Sequence, residues 1–244
     1  AVHVLQQLVP ALDAVDAEGL RAFHHLRLLS RTHEVVLVTS EPESPYGQNL
    51  AMLQPFCEQI EVVSEPAWQR YWRLLRAPFT SLPVQVLYFR NRQLRDRVQQ
   101  VLGRRSFDLV HVQLIRAAPI VDGLVDGMPK LIDFIDALSL NMARRAQRER
   151  GIVALGMAVE ARRVGNYERA LMRDYDQALV SSPLDREVIG DSDRIHVVPN
   201  GVDTVAYPFV ETGRQSASIV LTGRMGYFPN ADAAVWFATR VFPL

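Results

Sequence analysis

Short apolar runs alternate with longer amphipathic stretches along most of this chain, and that alternation narrows the available folds more than any other feature. Val2 to Leu8, Glu34 to Thr39, Asp108 to Val112 and Lys130 to Ile135 read as buried strands, as do Gln177 to Val180, Ile195 to Val198 and Ser218 to Leu221. Helical spacing fills the intervals at Ala17 to Ser30, Ala67 to Ala77, Asn91 to Leu102, Ile152 to Met172, Ser182 to Ile189 and Asn230 to Arg240. Ser182-Pro183 and Asn230 supply helix-start signals. Strand and helix in alternation predict an α/β fold, a Rossmann-like parallel sheet with helices on both faces. Ligands of such sheets bind beyond the carboxyl ends of the strands, so the candidate residues are sought in those loops.

Composition removes several function classes. Basic and acidic residues balance at 27 each, which gives no global charge to attract nucleic acid, and none is expected as a partner. A single cysteine, Cys57, excludes an intrachain disulfide and a cysteine-rich zinc site. No apolar run approaches the ~20 residues of a membrane span. The first residues lack a basic start and a small-residue cleavage site, so no secretory leader is expected and a cytoplasmic location is.

Organisation changes after Asn200. The segment Val205 to Ser218 has no clear periodicity and reads as a linker, followed by a new strand, a glycine turn and a helix. The expected division is residues 1–200, a linker over 201–218, and the first strand and helix of a second Rossmann-like domain over 219–244.

Two ordered motifs bracket that linker. VVPNGVD, Val197 to Asp203, is a strand entering a turn in which proline fixes φ and Asn-Gly tolerates a reversal. LTGRMGYFPNADAAVWF, Leu221 to Phe237, is a strand running through Gly-Arg into a helix start. Together they resemble the interdomain crossing of GT-B enzymes in glycosyltransferase family four, specifically a bacterial subgroup tied to exopolysaccharide synthesis. RAFHHLRLLSRTHEVVLVTS, FDLVHVQ and YDQALVSSPLDREVI resemble earlier elements of the same family, so the likeness covers most of the chain.

The resemblance implies retaining, metal-independent transfer of a hexose-like sugar from a nucleotide-sugar co-substrate to a lipid-linked or polysaccharide acceptor, with no other cofactor. Without a metal, a diphosphate needs backbone amides and a cation to hold it. The resemblance gives those roles to Gly223 and Arg224 and puts Asn200, Gly201 and Gly19 on the donor side. It implies that the leaving phosphate takes the acceptor's proton, so no protein nucleophile is expected. The family's carboxylate pair for the ribose and sugar is expected after Leu244. The chain departs from the family at Pro10 to Gly19, where one glycine and the carboxylates Asp13, Asp16 and Glu18 stand in place of a glycine-rich loop. Those charges would repel a diphosphate by on the order of a kcal/mol each.

Candidate acceptor-side residues are Arg21, Gln113, Arg116, Asp133, Asp136 and Ser139. In DFIDALS, Asp133 and Asp136 are placed either to position acceptor hydroxyls or, structurally, to meet an arginine and to cap the next helix. His111, mid-strand in an apolar run, reads as a satisfied core histidine; His24 and His25 receive no chemistry. From Trp68 to Arg105 there are nine arginines and one acid, Asp96. Helical spacing puts Trp68 and Trp72 on one face and Arg70, Arg73 and Arg76 on another. That pattern suits either a helix lying peripherally on an anionic membrane or an amphipathic helix packed on the sheet. A binding module for acceptor or membrane, inactive alone, is therefore the alternative function. A response-regulator-like doubly wound domain is disfavoured, because nothing in it requires PNGVD followed by Gly-Arg.

Overall fold

The computed structural model describes residues 2–8, 17–41, 47–210, 213, 217–223, 225–226 and 228–242, with backbone alone at 2–8, 17–18, 47–49 and 228–229. It divides into two compact units, Ala1–Asn200 and Gly201–Leu244.

The first unit is built on seven strands: β1 (Val2–Leu8), β2 (His33–Ser40), β3 (Gln59–Val63), β4 (Leu109–Gln113), β5 (Lys130–Ile135), β6 (Gln177–Val180) and β7 (Ile195–Val197). All pair in parallel in the order β3-β2-β1-β4-β5-β6-β7. The order reverses direction between β1 and β4, which opens a crevice at their carboxyl ends. The pleat sorts β2 between two cores. Val36 and Val38 join a cluster with Leu94, Val98 and Val110, whereas Val35 and Leu37 pack with Ala22, Leu26 and Leu53. Each such side chain contributes roughly 1.5–3 kcal/mol when fully buried. A strand buried on both faces carries no alternation, which is why the apolar runs marked these strands in the sequence. β3 escaped that reading: it is an edge strand, half-buried, with Gln59 and Glu61 interrupting its apolar residues.

Helices α1 (Ala17–Leu29), α2 (Ala67–Leu74), α3 (Val84–Phe89), α4 (Arg92–Arg104), α5 (Ala118–Val121), α6 (Leu138–Arg148), α7 (Gly151–Asp174) and α8 (Pro183–Ile189) connect the strands. Short 3-10 segments add Gly47–Phe56 and Ala77–Phe79. Local chemistry fixes the starts of two helices. Asn91 Oδ1 accepts the Leu94 amide at 3.0 Å before α4, and Ser182 caps α8 with Pro183 in the first turn. α4 then buries Leu94, Val98 and Val101, one helical stripe.

The hairpin of α6 and α7 rests on one buried carboxylate. Glu168 of α7 accepts the Ser139 amide at 3.2 Å and the Ser139 hydroxyl at 2.5 Å, closing the start of α6. Gly165 permits the approach, since a Cβ there would stand 3.3 Å from that of Ser139. Burial raises the Glu168 pKa, and the Ser139 bonds oppose the shift. Because Ser139 follows β5 directly, residues 151–164 run past the strand end by about 20 Å at the helical rise. Ile152 there is 85% exposed.

In the second unit, Asp203 Oδ1 accepts the amides of Val205 and Ala206 at 3.1 and 3.2 Å, a side-chain-closed turn. A ninth helix, α9 (Phe228–Trp236), continues as a π-helical turn over Phe237–Val241. The strand expected at Ser218 to Leu221 is absent: these residues join no ladder, and Ile219 and Val220 are exposed. A strand needs a neighbour for its N–H and C=O groups, and the described residues of this unit supply none. Among the described residues no helix is long and apolar enough to cross a membrane.

Replacing Glu168 with Ala should cost about 2–3 kcal/mol by urea unfolding, since the Ser139 donors lose their buried acceptor. A cost below about 0.5 kcal/mol, the ordinary surface value, would remove Glu168 as the anchor of this hairpin.

Candidate functional site

At the carboxyl edge of the sheet, β4 and β5 end side by side, with Gln113 paired to Asp133. Each chain then turns through a left-handed residue, Leu114 at φ 69 and Ile135 at φ 66. The Leu114 amide bonds the Asp133 carbonyl at 2.8 Å, and the Ile135 amide bonds Asp133 Oδ1 at 3.0 Å. These turns aim the Asp133 side chain across the strand ends, where it is fully buried.

A buried carboxylate requires a partner, and Arg21 of α1 supplies it. Its Nε donates to Asp133 Oδ2 at 2.8 Å and Nη2 to Oδ1 at 3.3 Å, a two-pronged pair. Its Nη1 donates to the Val198 carbonyl at 2.8 Å and to Asn200 Oδ1 at 2.9 Å. One guanidinium therefore joins α1, the end of β5 and the start of the PNGVD segment. Arg21, Asp133 and Asn200, chosen separately in the sequence, meet here. Arg21 is spent on protein acceptors and is buried, so it is a positioning residue.

One helical turn beyond Arg21, His25 faces the same carboxylate, its Nδ1 3.5 Å from Asp133 Oδ2. His111 of β4 lies behind it, the two rings 5.9 Å apart. His111 is 2% exposed, and among the described residues neither ring nitrogen has a hydrogen-bond partner. It is thus a core histidine, but not one satisfied by any described residue. Burial pulls its pKa down to about 4, with Asp133 opposing and His25 and Arg21 adding to the shift. Burial likewise lowers His25, against Asp133. Ligand atoms of His25, His111 and Asp133 lie within 4.8 Å of one another, close enough to suggest a cation site. Arg21 opposes one: both carboxylate oxygens already accept its N–H groups, and a divalent ion would sit beside a fixed positive charge. The triangle is organised as a closed ion pair.

The remaining candidates spread around this centre. Asp136 is exposed and accepts the Ser181 hydroxyl at 2.6 Å, and it does not cap α6, whose start is held by Asp185 and Glu168. Gln113 is buried beside Asp133, Ser139 serves Glu168, and Arg116 stacks on Phe89 at 4.9 Å. Gly19 is buried in α1, and Gly201 has open space where a Cβ would be. Gly223 is closely approached, since a Cβ would meet Asn230 Nδ2 at 3.0 Å. Arg224, Asp13, Asp16 and the side chain of Glu18 lie outside the described residues. The sequence offered one signal for His25, its i+4 spacing from Arg21. It offered none for the Val198 carbonyl.

The helix read as membrane-facing exposes its tryptophans but turns two of its arginines inward. Arg70 is 6% exposed, bonds Glu65 at 3.4 Å and lies over the Tyr88 ring. Arg73 gives Glu65 two bonds of 2.6 and 2.7 Å and the Tyr88 carbonyl one of 2.7 Å. Neither arginine faces outward as a membrane contact requires, because Glu65 draws both inward. Arg76 is exposed, as are Trp68 and Trp72.

No protein-family model matches the sequence, and no curated protein does. Among solved structures, the chain is similar to the crystal structure of TcCGT1 in complex with UDP, at 17% identity over 97% of this chain and 55% of that one, with a TM-score of 0.49. It is similar to Arabidopsis thaliana UGT89C1 complexed with UDP, at 17% identity over 99% and 56% of the two chains, TM-score 0.48. A third is the glycotransferase of kitacinnamycin, at 12% identity over 92% and 55%, TM-score 0.43. The chain spans about half the length of these structures.

The Arg21–Asp133 pair should show strong coupling. Arg21→Leu strands a buried charge and should cost about 3–5 kcal/mol, whereas adding Asp133→Leu should recover part of that loss. Additive losses by urea unfolding would mean that the two do not act as a pair.

His111 sets a pH dependence. Its folded pKa lies below its ordinary value of 6.5, so the unfolded chain binds the proton more readily. Stability should be full above pH 6.5 and fall as pH drops towards about 4, by on the order of 3 kcal/mol. His111→Val should flatten the profile across that window, and an unchanged slope would count against the buried neutral imidazole.

Proposed function

We propose that this chain belongs to a GT-B glycosyltransferase that moves a sugar from a nucleotide-sugar donor to a lipid-linked or polysaccharide acceptor. In this reading residues 1–200 form the acceptor side, 201–218 the linker, and 219–244 the start of the donor side. The carrying observation is the Arg21 fork. It fixes Asn200, in the motif read as the interdomain crossing, at the carboxyl edge of a parallel sheet, the edge where such sheets take ligands.

Roles follow from chemistry at each position. Arg224 supplies the cation for the donor phosphates, and Gly223 allows backbone approach next to it. Asp136, exposed at the end of β5 with the Ser181 hydroxyl on it, is placed to accept a bond from an acceptor hydroxyl. Arg21 and Asp133 hold the edge in shape and touch neither substrate. The transfer is retaining and metal-independent, with the leaving phosphate as the proton acceptor.

A second reading, a peripheral membrane-binding module, is favoured by one observation. Trp68, Tyr71, Trp72, Leu75 and Phe79 are all exposed, and Phe79 is 89% so. Rings outward with arginines inward is the reverse of a helix packed for solubility.

The two readings separate in one titration. A panel of nucleotide sugars should bind the chain weakly, and Arg224→Ala should lower affinity by about 1.5–3 kcal/mol with the melting temperature unchanged. Binding indifferent to Arg224, or lost only with folding, would take Arg224 out of the site. No nucleotide binding at all would favour the module.

A further inference from the structure

A pocket of about 590 Å³ is walled by Arg73, Arg76, Arg90, Arg92 and Arg95, with Asp96 the one carboxylate among its described lining residues. Arg73 is neutralised by Glu65. Arg95 is fixed, since its Nη1 bonds the carbonyls of Pro119 and Ile120 at 3.2 and 3.3 Å, but those acceptors are neutral. Among the described residues, Arg76, Arg90 and Arg92 have no carboxylate within ion-pair distance, and neither Arg92 nor Arg95 pairs with Asp96. Four arginines therefore share one concavity with a single carboxylate among its described residues, a local positive excess in a protein whose overall charge is zero. Like charges gathered at this density repel, and an anion with several oxygens relieves the repulsion through charge-assisted bonds.

The position matches the chemistry. α2 follows β3, α5 follows β4, and α4 begins where β4 will end, so all three wall segments lie at the carboxyl edge of the sheet. Arg73 and Arg76 line the pocket, while Trp72, Leu75 and Phe79, their neighbours in sequence, point out to solvent. Cations lining a hollow, with exposed rings beside them in the same stretch of chain, fit a ligand that is anionic at one end and apolar at the other.

We infer that this pocket binds the phosphate headgroup of a membrane lipid, with the rings of α2 and Phe79 inserted among the acyl chains. The inference deepens the acceptor side of the reading above and rests on it for the lipid's role; headgroup binding itself is measured apart from nucleotide binding, so either can fail alone.

Vesicle flotation tests it, comparing phosphatidylcholine alone with phosphatidylcholine containing phosphatidic acid or phosphatidylglycerol at matched surface charge. A phosphomonoester offers more oxygens to the arginines than a diester, so phosphatidic acid should retain several-fold more protein than phosphatidylglycerol. Arg90→Glu with Arg92→Glu should lower that retention at least fivefold. Arg31→Glu with Arg104→Glu, an equal charge change at exposed positions outside the pocket, should leave it within twofold. Trp72→Glu should lower retention with the melting temperature unchanged. Equal losses in both double variants, or no preference between the two lipids, would reduce the effect to general charge attraction and overturn the site. Binding of inorganic diphosphate without any vesicle retention would assign the pocket to a soluble phosphate. Tighter binding of a single-stranded polynucleotide than of vesicles would assign it to nucleic acid. Either result sinks the lipid assignment.

Discussion

The first unit hangs on the guanidinium of Arg21. Its partners stand far apart in sequence, Asp133 at 112 residues and Asn200 at 179, and this one group holds both. Burying Asp133 without a cation would cost several kcal/mol, so the end of β5 can take its shape only with α1 seated beside it. The same fork spends its last donor on the Val198 carbonyl and the Asn200 side chain. Formation of the ion pair and placement of Val198 and Asn200 are thus one event, because the planar guanidinium cannot satisfy one set of acceptors without orienting towards the other. Burial keeps the two histidines behind the pair neutral, and Arg21 adds to the effect. Arg21 already balances the carboxylate, so protonating His25 or His111 would add an unbalanced charge to a buried place.

Arginine does two kinds of work in this chain, and net charge conceals both. Arg21, Arg70 and Arg73 are tied to carboxylates and carbonyls inside the fold. Arg76, Arg90, Arg92 and Arg95 gather their charge in one hollow. A single residue, Glu65, decides the orientation of α2 by accepting from Arg70 and Arg73, and the rings are left outside as a result. The long carbon stems of arginine allow this inversion, since they pack against apolar neighbours while the head reaches a carboxylate.

How much was legible depended on what each segment buries. β2, β4 and β5 were readable because strands covered on both faces are written as apolar runs. β3 at the edge was not, and α6 was hidden by its many arginines and by a start held from Glu168 and Asp185, both distant in sequence. Ser218 to Leu221 has the composition of a strand but no ladder, because composition expresses a preference and pairing needs a partner. In the site, Arg21, Asp133 and Asn200 were each visible as residue types, yet their mutual engagement was not, and it changed Arg21 from a ligand contact into a positioning residue.

The sequence by itself determined the class of fold, the parallel pairing implied by alternating elements, and the capped start of α8. These are local: each follows from periodicity, a capping side chain or the torsion of a proline within a few residues. The tertiary structure alone decided which charges are spent and which remain free, which face of α2 meets water, and that His111 is held neutral. Those outcomes depend on pairs such as Arg21 with Asp133 and Arg73 with Glu65, in which burial sets the strength of each charge. Burial belongs to the folded neighbourhood, and no window of sequence contains it.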